Sequence, residues 1–352
     1  TALAIGTSCA EADVECKGVY NYILESGGVW GGASLEFDHN ADGLSLSPLP
    51  GNADNTDASG FFTVLSGDGN RMAVGNSRAD NNAGWVMVYN LTPGGWVQMG
   101  NSLPPTRQAN DWCGSAIALS NDGNVVAIAC TGEENWSGRV YVYRYQSDVN
   151  AWTPTGFIGG LPISHDRSSP GDTDYAQGAN HGDRLGKSMS LNADGTRLAL
   201  GAPNAFGNEG NVYMGDGRLA GRVTVWQYTS GTGQWYLTAD YRGDYEDGAC
   251  YSGSKAMCYL GKAVSLSADG NTLAISEPGY AQGKGRVRLY EFDNPGPRNE
   301  TTATIEYTSS ATDFGKAVSL SGDATVLAVG APRFSGALLG AVYLYQRNSA
   351  GE

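Results

Sequence analysis

Three oxygen-bearing side chains near the amino terminus have the spacing of a calcium loop. Asp38, Asn40 and Asp42 alternate along the chain, and Gly43 follows directly. Alternate residues of this kind can turn their oxygens toward one hard cation, and the glycine allows the sharp turn that such loops need. Leucines occupy the later ligand positions, where a carboxylate normally completes the coordination. Two interpretations therefore stay open, a Ca²⁺ site and a solvated turn.

Two further stretches, 161–184 and 239–258, concentrate acidic side chains. Asp172 and Asp174 lie in the first stretch, and Asp244 lies in the second, where it completes an Arg-Gly-Asp tripeptide. Two carboxyl groups about 5–10 Å apart can hydrolyse a glycosidic bond. However, acidic loops in a protein of net charge −14 are usually solvent-facing, so we interpret these residues as candidates for ligand binding rather than catalysis.

The composition favours short strands and excludes several classes of protein. Of 352 residues, 51 are Gly, 19 are Tyr and 8 are Trp, which is typical of strands joined by tight turns. The net charge of −14 would repel a phosphate backbone. No apolar segment approaches the roughly 20 residues that span a bilayer. We therefore expect neither a nucleic-acid partner nor a membrane span.

One pattern recurs along the chain, with its clearest copies at 260–275 and 314–329 and a third at 185–200. Each copy contains two short β-type runs around an aspartate turn, which is usually Asp-Gly, a strong hairpin signal. A third run follows a glycine, and a fourth often begins at a tryptophan. We name these strands A, B, C and D, and the unit is predicted to be a four-stranded antiparallel meander.

Six such units are predicted within a single domain, 1–352. Their approximate bounds are 1–46, 47–100, 101–160, 161–239, 240–306 and 307–352. Repeated units of this kind predict an all-β fold, a β-propeller of four-stranded antiparallel blades. The first unit lacks strand A and the last lacks strand D. We therefore expect a neighbouring chain or a further part of this one to complete the ring, with seven blades if the chain extends further.

The repeats resemble the FG-GAP family, the type found in the N-terminal propeller of integrin α chains. The matching segments, from complete to partial, are Phe314-Gly315 with Gly330-Ala331-Pro332, Leu185-Gly186 with Gly201-Ala202-Pro203, and Leu260-Gly261 with Ser276-Glu277-Pro278. The resemblance implies a propeller with an extracellular role in adhesion or ligand binding. Two features depart from the family: six units are visible instead of seven, and the A–B turns carry too few carboxylates to bind calcium.

The cysteines and glycosylation sequons favour an oxidising, secretory compartment. The cysteines form three pairs close in sequence, and Cys113 and Cys130 flank their turn almost symmetrically, so we expect these disulfides: Cys9–Cys16, Cys113–Cys130 and Cys250–Cys258. Asn-x-Ser/Thr sequons begin at Asn90, Asn135 and Asn299. We therefore predict an extracellular or cell-surface glycoprotein.

The variable insertions all fall on the side of each meander that carries the B–C and D–A loops. Variation on one side of a rigid scaffold is typical of a binding surface. Trp112 and Trp136 lie outside the repeated tryptophan position and are candidates for stacking on sugars. We predict a non-catalytic propeller that binds a protein or glycan with these loops, or serves in an extracellular assembly. A glycan-acting hydrolase and an architectural fibre subunit remain the alternatives.

Overall fold

The computed structural model describes part of the chain. The described residues are 2–6, 19–24, 30–35, 61–104, 106–159, 182–205, 219–243, 257–293, 296–297, 303–307, 313–332 and 340–347. Several predicted sites lie outside the described residues, namely Asp38, Asn40, Asp42, Asp172, Asp174, Asp244, Asn299, Cys9, Cys16 and Cys250.

The fold is a β-propeller of small, mostly antiparallel sheets, as the repeats predict. The described residues form six sheets. The first sheet contains β1 (Ala2–Gly6), β2 (Val19–Leu24) and β3 (Trp30–Leu35). The second contains β4 (Phe61–Leu65), β5 (Arg71–Asn76), β6 (Trp85–Thr92) and β7 (Gly95–Gln98). The third contains β8 (Cys113–Leu119), β9 (Val125–Cys130), β10 (Arg139–Gln146) and β11 (Ala151–Gly159).

The fourth sheet contains β12 (Ser188–Leu191), β13 (Arg197–Ala202), β14 (Leu219–Thr229), β15 (Gln234–Arg242) and β16 (Met257–Leu260). The fifth contains β17 (Val264–Leu266), β18 (Thr272–Glu277), β19 (Arg286–Asp293), β20 (Gly296–Pro297) and β21 (Ala303–Glu306). The sixth contains β22 (Ala317–Leu320), β23 (Val326–Ala331) and β24 (Ala341–Gln346). The described residues also form three short helical turns, α1 (Ala79–Asn82), α2 (Glu133–Trp136) and α3 (Tyr280–Gly283). None of the helices in the described part is long and apolar enough to cross a membrane.

The chain divides into two compact units. The first comprises Thr1–Glu133, Val140–Phe157 and Ala193–Gly195, and the second comprises Glu134–Arg139, Ile158–Asn192 and Thr196–Glu352. Strands β1–β9 belong to the first unit and β12–β24 to the second.

The A–B turns repeat one set of hydrogen bonds around their aspartates. In the fifth repeat Ser267 Oγ donates to Asp269 Oδ1 at 2.5 Å, and the Asn271 N–H donates to the same oxygen at 2.9 Å. Ser267 Oγ also accepts a hydrogen bond from the Thr272 N–H at 2.9 Å. Asp68, Asp122 and Asp323 accept the equivalent serine hydrogen bonds. These carboxylates close the turns, which explains why aspartate recurs in the pattern.

Each strand C begins against the first residue of the following repeat. Gly285, directly before β19, has a φ of +87°, and a Cβ there would lie 2.0 Å from the carbonyl oxygen of Phe314. A Cβ at Gly84 would likewise lie too close to the backbone of Cys113, and a Cβ at Gly221 too close to that of Leu260. The bulky residue of the Phe-Gly pattern therefore packs its backbone against the glycine that precedes strand C.

Aromatic side chains of strand D pack within the propeller. Trp96, Trp152 and Trp235 are the second residues of β7, β11 and β15, as predicted. Trp152 is buried, and its Nε1–H donates to the Met99 carbonyl of the preceding repeat at 2.8 Å. The repeated tryptophan at this position is thus a packing residue.

The predicted pairing of Cys113 with Cys130 is confirmed. The two residues face each other in the register of β8 and β9 and form a disulfide. Cys258 is also disulfide-bonded. Because Cys250 lies outside the described residues, the Cys250–Cys258 pairing stays a prediction.

The last sheet exposes apolar residues whose equivalents in earlier repeats are buried. Val342 and Leu344 of β24 are 71% and 73% exposed, whereas Val223 and Val225 of β14 are fully buried. Val287 of β19 is buried in one cluster with Phe314 of the following repeat. Completion of the ring by a neighbouring chain stays a prediction.

Candidate ligand-binding loops

The turn that leads into strand A has the same backbone in four repeats. We call it the entry turn, and it comprises residues 112–115, 184–187, 259–262 and 313–316. Its first residue has a positive φ, which is 55° at Trp112, 54° at Arg184, 57° at Tyr259 and 54° at Asp313. The N–H of its fourth residue donates to the carbonyl of the first over 3.2, 3.1, 3.0 and 3.0 Å, respectively.

The first residue of the entry turn differs chemically in every copy: an indole, a guanidinium, a phenol and a carboxylate. None of the four is β-branched, in keeping with a left-handed backbone that such residues rarely adopt. The turn thus fixes the backbone while the side chain varies. This combination is typical of a binding surface built on a rigid scaffold.

In three repeats the B–C turn lies beside the entry turn of the next repeat. The Trp112 N–H donates to the Asn82 carbonyl at 2.8 Å, and the Arg184 N–H donates to the Trp136 carbonyl at 3.0 Å. The Asp313 N–H donates likewise to Gly283 at 3.0 Å. These bonds place residues of α1, α2 and α3 next to the variable entry-turn positions. These backbone hydrogen bonds therefore bring two loops of different repeats into one surface patch.

The two tryptophans predicted to bind sugars both lie in these loops. Trp112 is half-buried, and the Arg78 guanidinium lies 5.8 Å from its ring centre. Trp136 is also half-buried, with the Arg184 guanidinium 5.1 Å from its ring centre. Each ring thus already carries a cation–π partner. Sugar stacking at either ring stays a prediction.

Three lysines occupy the fourth position of successive entry turns. They are Lys187, Lys262 and Lys316, and they directly precede or lie near the start of β12, β17 and β22. These strands lie side by side: the Leu266 N–H donates to Ser190 Oγ, and the Leu320 N–H donates to Ser265 Oγ, both at 2.9 Å. Each of these serines follows its lysine by the same number of residues. The lysines therefore lie at one level of three neighbouring strands.

Among the described residues, these lysines have more cationic than anionic neighbours, even with the buried Asp183 beside Arg184. Burial, followed by the charge of Arg184, lowers the pKa of Lys187. Burial also lowers the pKa of Lys262, with further contributions from Lys316, Lys187 and Arg184 that Asp313 only partly offsets. Lys316 Nζ lies 3.4 Å from Asp313 Oδ2. We call Arg184, Lys187, Lys262 and Lys316 the lysine cluster.

Sequence reasoning missed the lysine cluster, although a signal was present. Gly-Lys stands before strand A in three copies of the repeat, whereas the equivalent residues elsewhere are Phe61 and Ser115. The fold therefore accepts an apolar or small polar residue at this position. Because the fold does not require lysine here, we treat the three lysines as candidate functional residues.

A second charged group lies in the fifth repeat and is internally paired. Glu277 is fully buried, forms an ion pair with Arg286 and lies 3.2 Å from Arg288 Nη2. Arg286 also stacks over Tyr280, 3.7 Å from the ring centre. Glu277 occupies the position of Ala202 in the fourth repeat. Since its charge is matched by adjacent arginines of the same sheet, this group is not treated as a binding site.

The remaining predicted sites are placed as follows. Asn90 lies within β6 and is half-buried, so this sequon begins inside a strand. Asn135 lies in α2. Within the described ranges, no group of three or more His, Cys, Asp or Glu side chains is arranged to hold a metal ion. Calcium binding at 38–42 stays a prediction.

Comparison with known proteins supports the fold. A protein from Bacteroides uniformis named as a putative 6-phosphogluconolactonase matches with a TM-score of 0.59 and 14% identity, over 99% of this chain and 79% of that one. A protein from Lactobacillus plantarum matches with a TM-score of 0.52 and 13% identity, over 97% and 77%. At this identity the likeness shows a shared fold alone. No family model and no curated protein matches the sequence.

Proposed function

We propose that this protein is a non-catalytic, extracellular binding propeller that engages a protein or glycan through its B–C and entry-turn loops. One observation carries the proposal. The entry turn keeps one backbone in four repeats while its first residue changes between Trp112, Arg184, Tyr259 and Asp313. Folding requires the backbone, and ligand recognition accounts for the variation.

The opposite turns provide the contrast that supports this assignment. Asp68, Asp122, Asp269 and Asp323 make the same serine hydrogen bonds within their own turns. Their side chains are the same in each copy because they close a hairpin. The loops that vary and the turns that stay constant thus lie at opposite ends of the strands.

A glycan array tests the proposal, using the wild-type protein and three variants. Arg184→Ala and Trp136→Ala alter the variable loops, and Asn271→Ala alters an A–B turn as the control. We expect the wild type to bind at least one class of glycan. Both loop variants should bind about tenfold more weakly or worse, as expected for a lost anchor, while the control changes less than twofold.

The alternative, a glycan-acting hydrolase, is tested with the same bound glycans by measuring released reducing ends. Sugar release by the wild-type protein would contradict a non-catalytic role. Equal weakening by Asn271→Ala and Arg184→Ala would show that the loops are not the binding surface. A lack of binding to every glycan would remove the glycan half of the proposal.

A further inference from the structure

We propose that the lysine cluster binds a tetrahedral oxyanion, a phosphate or sulfate group carried by the ligand. This inference rests on the proposed function, because it names the chemical class that one part of the binding loops recognises. The cluster lies wholly within the second compact unit.

Strand register brings the cationic groups together. Besides the bonds from Leu266 to Ser190 and from Leu320 to Ser265, Ser188 Oγ donates to the Gly261 carbonyl at 2.8 Å. Ser188 directly follows Lys187, and Gly261 directly precedes Lys262. The two lysines therefore start adjacent strands that are in direct contact.

The cluster holds more positive than negative charge. Lys187 and Lys262 make no ion pair among the described residues, and Asp313 pairs with Lys316. Arg184 lies over Trp136, and within the described chain its Nε is buried without a hydrogen-bond partner. Burial and mutual repulsion disfavour these charges. A bound anion would relieve the repulsion and supply the acceptor.

Other arginines of the second unit show the opposite arrangement. Arg222 Nε lies 2.7 Å from Asp240 Oδ1, and Arg242 contacts the same carboxylate. Arg286 and Arg288 share Glu277. These four arginines are paired with nearby acids, whereas Arg184, Lys187 and Lys262 make no ion pair among the described residues.

The donor set favours a tetrahedral oxyanion over a carboxylate. Lysine ammonium groups act as separate point charges that can each approach a different oxygen, whereas the planar, bidentate fork suited to a carboxylate belongs to arginine. Three lysines at equivalent positions of three neighbouring strands supply such separate charges. Phosphate and sulfate share this geometry, and the experiment distinguishes them.

Isothermal titration calorimetry at constant ionic strength tests the site with sodium phosphate, sodium sulfate and sodium acetate. We expect the wild-type protein to bind phosphate or sulfate at least about tenfold more tightly than acetate. Lys262→Gln should weaken that binding about tenfold, the effect of one charge-assisted hydrogen bond. Arg347→Gln removes one positive charge at the A–B end of the strands, where the Arg347 N–H donates to the Thr325 carbonyl, and should change binding less than twofold. The anion that binds more tightly indicates whether the ligand carries a phosphate or a sulfate group.

A melting experiment gives a second readout that does not depend on glycan binding. Ten millimolar of the tighter anion, compared with chloride at equal ionic strength, should raise the Tm of the wild type and not that of Lys262→Gln. Absence of any shift in the wild type, or an equal loss in Arg347→Gln, would overturn the site. Glycan binding lost in Trp136→Ala but kept in Lys262→Gln would overturn the anion site alone. Anion binding without any glycan binding would count against the glycan proposal alone.

Discussion

Gly285 lies so close to Phe314 that a Cβ at residue 285 would stand 2.0 Å from the Phe314 carbonyl oxygen. Gly285 also has a φ of +87°, where a side chain is strained. Because the obstacle is backbone, Gly285→Ala must shift the following repeat. We expect it to lower the free energy of unfolding by about 3 kcal/mol, which combines left-handed strain with overpacking. Urea denaturation measures this loss.

Gly231→Ala is the matched control for that prediction. Nothing lies within 4 Å of a Cβ at Gly231, in the turn between β14 and β15. The same substitution should therefore change stability by less than about 1 kcal/mol. Equal losses in the two variants would show that the contact with Phe314 is not what requires glycine.

The A–B turns should make the protein sensitive to acid. Hydrogen bonds from Ser321 and Thr325 lower the pKa of Asp323 from 3.8 to about 2. Because the folded-state pKa lies below the unfolded one, this carboxylate stabilises the fold above pH 3.8 and loses that effect as the pH falls toward 2. Asp323→Asn should flatten the fall in Tm over this range. Parallel Tm profiles for the variant and the wild type would contradict the prediction.

The disulfide of the third repeat should contribute substantially to stability. Cys113 and Cys130 are separated by 17 residues in sequence, and closure of a loop of this size stabilises by about 3 kcal/mol. The double variant Cys113→Ala and Cys130→Ala should lose about this much in urea denaturation. Since both cysteines are almost fully buried, dithiothreitol should leave the folded wild type oxidised. Rapid reduction without denaturant would contradict that burial.

Glu277 should be required for stability only while both arginines that contact it are present. Glu277→Ala leaves Arg286 and Arg288 without their buried counter-ion, and we expect a loss of about 3 kcal/mol. The fourth repeat carries Ala202, Arg222 and Thr224 at the equivalent positions.

Replacing the fifth-repeat residues by those of the fourth repeat should restore part of the lost stability. Adding Arg288→Thr to Glu277→Ala removes one unpaired charge, and Glu306 lies 3.9 Å from the Arg286 guanidinium as an alternative partner. Thermal unfolding should therefore show the double variant to be more stable than Glu277→Ala. A double variant that is less stable than the single one would show that Arg288 contributes independently of Glu277.

Local signals predicted the sheets well. The aspartate turn at Asp269, the glycine before strand C at Gly285 and the tryptophan of strand D at Trp152 each recur for a local reason, namely turn closure, close backbone approach or packing. Short-range periodicity reports such reasons directly. The geometry of a single repeat could therefore be predicted from the sequence.

The lysine cluster could not be predicted from the sequence in the same way. Lys187 and Lys262 lie on neighbouring strands only because Ser190 Oγ accepts a hydrogen bond from the Leu266 N–H, 76 residues away along the chain, and the next strand is added through Ser265 and Leu320, 55 residues apart. Periodicity reveals which positions are equivalent but not which equivalent positions become neighbours. The buried charge of Glu277 was missed for a related reason, since its arginines lie on a different strand.

The entry turn has a consequence for protein engineering. Trp112, Arg184, Tyr259 and Asp313 occupy backbone sites of one conformation, so residues could be exchanged among them without redesigning the loop. A combinatorial library at these sites should omit Pro, Val, Ile and Thr, which tolerate positive φ poorly, and retain Gly, Asn and Asp. The propeller would then serve as a display scaffold in which specificity is selected separately from folding.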